Sequence, residues 1–290
     1  MFFFHGTIRM KKWVGLLVAL VVVLVALLLY SNKTRSCYPL KGTEIPKIIW
    51  SFWDNDEIPP FIQKCVDTWK KFNPDYTINF MTKSTLGKYL GEEEAQNLIK
   101  WKFNDSPQRL SDLVRLAAVS KFGGIWVDAS VVCFKSFNWI PEEQSDCIVF
   151  SIKELSEDPT IESWFIAATP EHPYVVAWNK EFRGIDQYES VDEYITKSGT
   201  NQDAIAYNVN YLVVYLCARK VYHDLGEDSV KILGAAQGPY EYMVKGGIKS
   251  LCDSRNSFAK FRKDERAEMT PEVEACIFNP SEHQDAPNNT

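Results

Sequence analysis

The sequence predicts an α/β domain with a parallel-cored sheet, preceded by one membrane-spanning helix. Three observations carry that expectation. An unbroken apolar run covers residues 13–30. Buried-type strands and amphipathic helices then alternate along the chain. Finally, a helix opening at Ser106-Pro107 runs into Gly123-Gly124 and a short apolar strand that ends on Asp128.

Residues 1–12 form a short tail, and residues 13–30 (WVGLLVALVVVLVALLLY) are apolar on every face. At about 1.5 Å per residue, 18 residues span roughly 27 Å, close to the hydrocarbon thickness of a bilayer. Leu27-Leu28-Leu29-Tyr30 lacks the small residues of a signal-peptidase site, so an uncleaved anchor is expected. Arg9, Lys11 and Lys12 precede the run, while Lys33 and Arg35 follow it. That bias points to a single-pass, type II protein with its domain in the ER or Golgi lumen. Residues 31–44 read as a stem, 45–280 as one domain and 281–290 as a tail. Asn32-Lys33-Thr34, Asn104-Asp105-Ser106 and Asn288-Asn289-Thr290 are glycosylation sequons, triplets that also arise by chance.

Bulk composition narrows the function classes. Apolar residues make up 46% of the chain, with 9 Trp and 13 Tyr, enough for a full core and an aromatic-lined cleft. The formal charge is −6 and no basic block stands outside the membrane flank, which argues against a nucleic-acid surface. Seven scattered cysteines exclude a zinc ribbon or a dense disulfide scaffold and leave room for one or two bridges.

The elements follow in order. Pro46 to Trp53 is a buried-type strand; Phe61, Ile62, Cys65, Val66 and Trp69 recur at helical spacing until Asn73-Pro74-Asp75. Tyr76 to Met81 alternates as a second strand, and residues 85–102 read as one helix. Ser106 supplies an N-cap and Pro107 a first helical residue. Leu110, Leu113, Val114, Ala117 and Ala118 then make one apolar stripe that Gly123 stops. Residues 125–127, 147–151 and 230–233 read as further strands, and residues 173–182 and 203–221 as helices. No G-x-S-x-G or H-E-x-x-H motif occurs, and only four histidines are present, so an anchored hydrolase is the poorer reading.

The chemistry-bearing residues cluster around the two glycines. Asp112 and Arg115 are three apart and neighbours on their helix, on the side away from the apolar stripe. Taken alone they are a solvated ion pair worth ~0.2–0.5 kcal/mol. Asp128, at the carboxyl end of a strand, sits where open α/β sheets bind ligands. Trp50 and Trp126 either frame a ligand by stacking or fill the core.

Together Ser111, Asp112, Arg115, Gly123, Gly124, Ile125, Trp126, Asp128 and Ser130 resemble the S-D-x-x-R…G-G-I/V-Y/W-x-D-x-D/S/T signature of DXD-motif glycosyltransferases. The branch is the capsular polysaccharide synthesis family, related to a mannosyltransferase group. The likeness extends to Ile45 through Trp50, Thr68-Trp69-Lys70, Asn73-Pro74-Asp75-Tyr76, Ser163 through Ala168 and Gly238-Pro239. It implies a GT-A-type fold, a single Rossmann-like mixed sheet flanked by helices, that transfers a hexose with retention. The donor would be UDP- or GDP-linked, and the acceptor a glycan, glycolipid or polysaccharide.

The resemblance further implies a Mn²⁺ or Mg²⁺ ion on Asp128 and Ser130, since hard cations take oxygen ligands. It assigns Trp50, Asp112, Arg115, Gly124, Trp126 and Asp128 to donor binding, and catalysis to Asp128 and Asp203. Asp203 belongs to Asn201-Gln202-Asp203, similar to an element of related retaining transferases and equally a polar helix start. Ser130 replaces the second acid of the motif, a weaker ligand that His172, His223, Asp203 or Asp253 could supplement. A catalytically inactive glycan- or nucleotide-binding relative is the alternative this replacement allows.

Overall fold

Strand β1 (Ile48–Trp53) forms the first rung of a six-stranded sheet in this computed structural model, which describes residues 44–152, 158–199, 209–253 and 255–278. The expected anchor at 13–30, the tails at 1–12 and 281–290, nearly all of the stem and Asp203 lie outside the described residues. Among the described residues no helix is long and apolar enough to cross a membrane.

Helix α1 (Pro60–Phe72) returns the chain to β2 (Thr77–Thr82), parallel to β1. Residues 85–102 form two short helices rather than the single one expected, α2 (Leu86–Leu90) and α3 (Glu92–Ile99). Gly91 separates them at φ 96°, a conformation that a helix interior does not contain. Helix α4 (Pro107–Phe122) begins as expected, with the Ser106 side chain accepting from the Arg109 amide at 3.3 Å. It delivers the chain to β3 (Gly124–Val127), which pairs parallel with β1.

The next strands make the sheet mixed, as the family resemblance implies, where the element order alone reads as a parallel core. After the short β4 (Val131–Cys133) come β5 (Cys147–Ser151) and β6 (Ile161–Ala168). β6 inserts antiparallel between β3 and β5, and β7 (Lys231–Gly234) pairs parallel with β5 at the edge. The sheet order is β2-β1-β3-β6-β5-β7, a mixed sheet. β6 escaped the sequence reading because all eight of its residues are buried, so it shows no two-residue alternation.

Two cores lie on the two faces of this sheet. Trp50, Trp126, Ile166 and Ala168 join one with α4, α5 (Pro173–Arg183) and α6 (Val213–Leu225). Ile49, Ile125, Val127, Phe165 and Ala167 join the other with α1 and the C-terminal segment. Neighbours along a strand alternate between faces, and the two lists follow that alternation. The described part of the expected helix at 203–221 runs instead from Val213 to Leu225.

The C-terminal segment folds back on the second face. Strand β8 (Phe258–Lys260) pairs antiparallel with β4, with Val131 opposite Lys260. A disulfide between Cys252 and Cys276, 24 positions apart with Cα atoms 5.7 Å apart, braces this segment. Cys65, Cys133, Cys147 and Cys217 are buried and unbridged.

Candidate active site

Helix α4 and strand β3 place their polar residues together because a two-glycine turn joins them tightly. Gly123 has φ 64° and Gly124 φ 91°. A Cβ on Gly124 would lie 2.7 Å from the Ile48 carbonyl oxygen, and one on Gly123 2.8 Å from that of Ala168. No residue with a side chain fits that approach without moving backbone. Trp50 covers the turn: its indole donates to the Gly123 carbonyl at 2.9 Å and stacks on Phe122 with centroids 5.5 Å apart.

At the other end of β3 lies a charge cluster. Asp112 and Arg115 point inward and are buried, not solvated as their place off the apolar stripe suggested. Helix α4 is covered on nearly all sides, so its polar face has no water to turn to. Arg115 Nη1 sits 3.1 Å from Asp112 Oδ1, and Nη2 3.1 Å from Asp128 Oδ1. The same guanidinium bonds the Ser111 hydroxyl at 3.0 Å and the Ser163 hydroxyl of β6. It lies over the Trp126 ring, 5.2 Å from the centroid, and the Trp126 indole donates to Asp128 Oδ1 at 3.1 Å. One cation therefore joins two carboxylates against an aromatic wall.

A residue far along the chain completes the cluster. Lys260, from β8, donates to Asp128 Oδ2 at 2.7 Å and to Ser130 Oγ at 3.0 Å. Ser130 in turn donates to the Phe261 carbonyl at 2.7 Å and accepts the Phe261 amide on its own carbonyl at 3.1 Å. Glu162 of β6 is close by, buried, with Oε1 3.5 Å from the Tyr240 hydroxyl and Oε2 without a hydrogen-bond partner among the described residues.

These surroundings divide the carboxylates. Burial drives Asp128 upward, but Lys260 and Arg115, with hydrogen bonds from Lys260 and Trp126, outweigh it and hold the carboxyl down at about 2. Burial raises Asp112 to about 6 against the pull of Arg115. Burial likewise raises Glu162 to about 7. The cluster thus holds one permanently ionised acid beside two that titrate near neutrality, a pattern typical of functional sites.

The sequence-derived residues do not all converge. Asp112, Arg115, Trp126, Asp128 and Ser130 meet, whereas Gly124 lies at the opposite end of β3, roughly 13 Å away at about 3.3 Å per residue, and Trp50, paired with Trp126, turns its indole toward that glycine end. His172 caps α5 and faces Asp146 at 3.3 Å, while His223 faces Asp158 at 3.2 Å; neither is drawn to Asp128. Lys260 and Glu162 were missed. A lone acid inside the apolar run 161–168 is a signal that could have flagged Glu162. Nothing near Lys260 ties it to a residue 132 positions earlier.

The expected ion on Asp128 and Ser130 can be tested against the donor set. Asp128 Oδ2 and Ser130 Oγ both face the Lys260 ammonium, and Asp128 Oδ1 faces Arg115. No group of three His, Cys, Asp or Glu side chains placed to hold a metal occurs among the described residues. With Lys260 in this place, the oxygens present do not fit a divalent cation, which would meet an ammonium at its own ligands.

Residues 30–210, well over half of the chain, match the family profile described as capsular polysaccharide synthesis protein. The chain belongs to that family. Two curated relatives in the fungal kingdom carry transferase names. O-glycosyltransferase braB of Annulohypoxylon truncatum is 26% identical over 155 residues, covering 47% of this chain and 37% of the relative. Glycosyltransferase afumC of Aspergillus fumigatus is 23% identical over 153 residues, covering 47% and 39%. The aligned stretch thus spans under two-fifths of either relative. Among solved structures, the PaToxG glycosyltransferase overlaps with a TM-score of 0.40 at 16% identity, covering 92% of this chain and 97% of the other. The galactosyltransferase LgtC, in complex with donor and acceptor sugar analogs, gives 0.42 at 11% identity, covering 79% and 95%. Overlaps that loose carry no functional weight.

Proposed function

We propose that this protein moves a sugar from a nucleoside-diphosphate donor to the hydroxyl of a glycan, glycolipid or polysaccharide, on a GT-A-type sheet. The observation that carries the reading is the meeting of Asp112, Arg115 and Asp128 at the carboxyl end of β3, in a chain of the capsular polysaccharide synthesis family. The names of the two fungal relatives support the same class.

In the transfer, the acceptor oxygen bonds the anomeric carbon while the carbon–oxygen bond to the diphosphate breaks. The electron pair stays on the diphosphate, and the acceptor proton passes to solvent. Asp128, ionised at all physiological pH, is a pure acceptor whose remaining lone pair, on Oδ2, suits a ribose or sugar hydroxyl. Arg115 and Trp126 fix its orientation, so no reorganisation is needed as charge develops. Asp112, near the pH where it exchanges its proton, serves a donor hydroxyl by either accepting or donating.

Finer points belong to the same proposal. A UDP- or GDP-linked hexose, retention of configuration and a catalytic role for Asp203 along with Asp128 follow the family resemblance. The apolar run 13–30 anchors the domain. The basic bias before that run supports a lumenal, ER or Golgi setting. The Cys252–Cys276 bridge accords with such an oxidising compartment.

The test is a screen of UDP- and GDP-sugars with the full chain in detergent, reading nucleoside diphosphate release with and without Mn²⁺. Asp128→Ala is expected to slow release by at least about 1,000-fold with unchanged circular dichroism. Wild-type rates in that variant would dismiss the assignment. Ser130, standing where the motif has its second acid, favours one alternative: a binding protein that holds UDP or GDP in calorimetry yet releases nothing from any sugar donor.

A further inference from the structure

We infer that Lys260 is the cation that neutralises the donor diphosphate, in the place where the motif's relatives would be expected to use a metal ion. The inference rests on the sugar-transfer reading above and specifies how that site handles charge.

Position comes first. The ammonium lies 2.7 Å from Asp128 Oδ2 and 3.0 Å from Ser130 Oγ, so it bridges the two motif residues from which an ion would hang. An ammonium carries three donors. Two are engaged here, and the third has no partner among the described residues. The side chain keeps 12% exposure beside an Asp128 that keeps 23%.

The backbone argues for a built feature rather than a chance contact. Phe261, next to Lys260, is clamped to Ser130 by two hydrogen bonds, one in each direction. The Lys260 amide is tied to the Pro239 carbonyl at 3.3 Å, and β8 is locked to β4, which begins one residue after Ser130. The Cys252–Cys276 bridge holds the segment from behind. Lys260 therefore cannot drift far from the motif without dismantling a strand pair.

The charge balance agrees. Arg115 is committed to two carboxylates and two hydroxyls, so it is already neutralised. Lys260 brings the two cations level with Asp112 and Asp128, so an entering diphosphate meets a near-neutral site where Arg115 alone would leave a net negative one. Ser130 fits this arrangement better than a second aspartate, because a hydroxyl orients the ammonium without cancelling it. As the bond between the anomeric carbon and the phosphate oxygen breaks, the electron pair moves onto the diphosphate. The Lys260 ammonium stabilises it by charge and a hydrogen bond, with no transfer of its own proton.

The experiment uses the full chain in detergent with EDTA, and UDP, UMP, GDP and GMP as probes in calorimetry. In EDTA the diphosphate of the preferred base is expected to bind at least about 10-fold tighter than its monophosphate, and 1 mM Mn²⁺ to change that by less than about 2-fold. Lys260→Met is expected to bring diphosphate affinity down to the monophosphate level and to slow sugar-nucleotide cleavage by about 100-fold, with Lys260→Arg recovering part of both. Diphosphate binding and cleavage that require Mn²⁺ in the wild type would overturn the inference and leave the transferase reading intact. Should Lys260→Met misfold, the EDTA result with the wild type still decides. Absence of any nucleotide binding, with or without metal, would sink both.

Discussion

The two ends of strand β3 are held by different forces. At the Gly123-Gly124 end the contacts are steric: backbone against backbone, an indole over a carbonyl, no charge. At the Asp128 end they are electrostatic: two cations, two carboxylates and a clamped hydroxyl joined by ion pairs and hydrogen bonds, with the Glu162 carboxyl close by. The first end fixes where the helix and strand meet, and the second spends that fixed geometry on holding charge out of water. Steric constraints do not titrate and ionic ones do, so pH separates the two ends.

The largest expected effect is at the ionic end. Arg115→Leu leaves Asp112 without its cation and takes one of two from Asp128, and is expected to cost about 3–5 kcal/mol at pH 7 in urea unfolding. The loss should shrink as pH falls through about 6, where Asp112 takes up a proton. Adding Asp112→Asn should restore part of it, with a non-additive remainder of at least about 1 kcal/mol. A loss independent of pH would mean that Arg115 acts by packing on Trp126, and the contrast between the ends would fail.

Next is the glycine end. Gly124→Ala must hold φ near 91° and place a Cβ against the Ile48 carbonyl, for an expected loss of about 3 kcal/mol. That loss should be the same at pH 5 and pH 8. A loss that varies with pH would place the glycine turn in the charge network.

Glu162→Gln sharpens the ionic side in the opposite direction. Burial raises the Glu162 carboxyl to about 7, so the folded state keeps a proton that the unfolded chain releases above about 4.5. Its contribution is therefore fully favourable at low pH and declines as pH rises from about 4.5 to about 7. The amide removes that slope and is expected to stabilise by about 2 kcal/mol at pH 8 and by little at pH 4. Asp128 works in the reverse sense: its contribution is complete above about 4 and is lost as pH falls toward about 2. Equal effects of Glu162→Gln at both pH values would show that burial does not raise this carboxyl above its unfolded value.

The steric end was the more legible from sequence. Ser106-Pro107, the stripe from Leu110 to Ala118 and the glycine stop are local signals, readable within one turn of helix or one strand. They placed α4, β3 and Asp128 correctly. The ionic end was half legible. Asp112 and Arg115 were found but turned toward solvent, because helical periodicity ranks faces by polarity and cannot tell that a second layer covers the polar one. Lys260 was invisible, since its partner lies 132 positions away and β8 is three residues long. β6 hid for a related reason: a strand buried on both faces loses the alternation that marks a strand.

Ser130→Ala is the smallest change and tests whether the two ends are joined through the clamp. The substitution removes the hydrogen bond to the Phe261 carbonyl and one of the two acceptors of Lys260, while the Phe261 amide keeps its bond to the Ser130 backbone. One neutral hydrogen bond is worth about 1 kcal/mol net. The urea midpoint should fall accordingly with no change in slope. The slope is informative because it scales with the surface exposed on unfolding. If β8 detaches in the variant, the slope drops, and the ionic end then depends on the strand pair more than on its charges. If the slope holds, Asp128 and the intact β4–β8 pairing keep Lys260 in place without the hydroxyl.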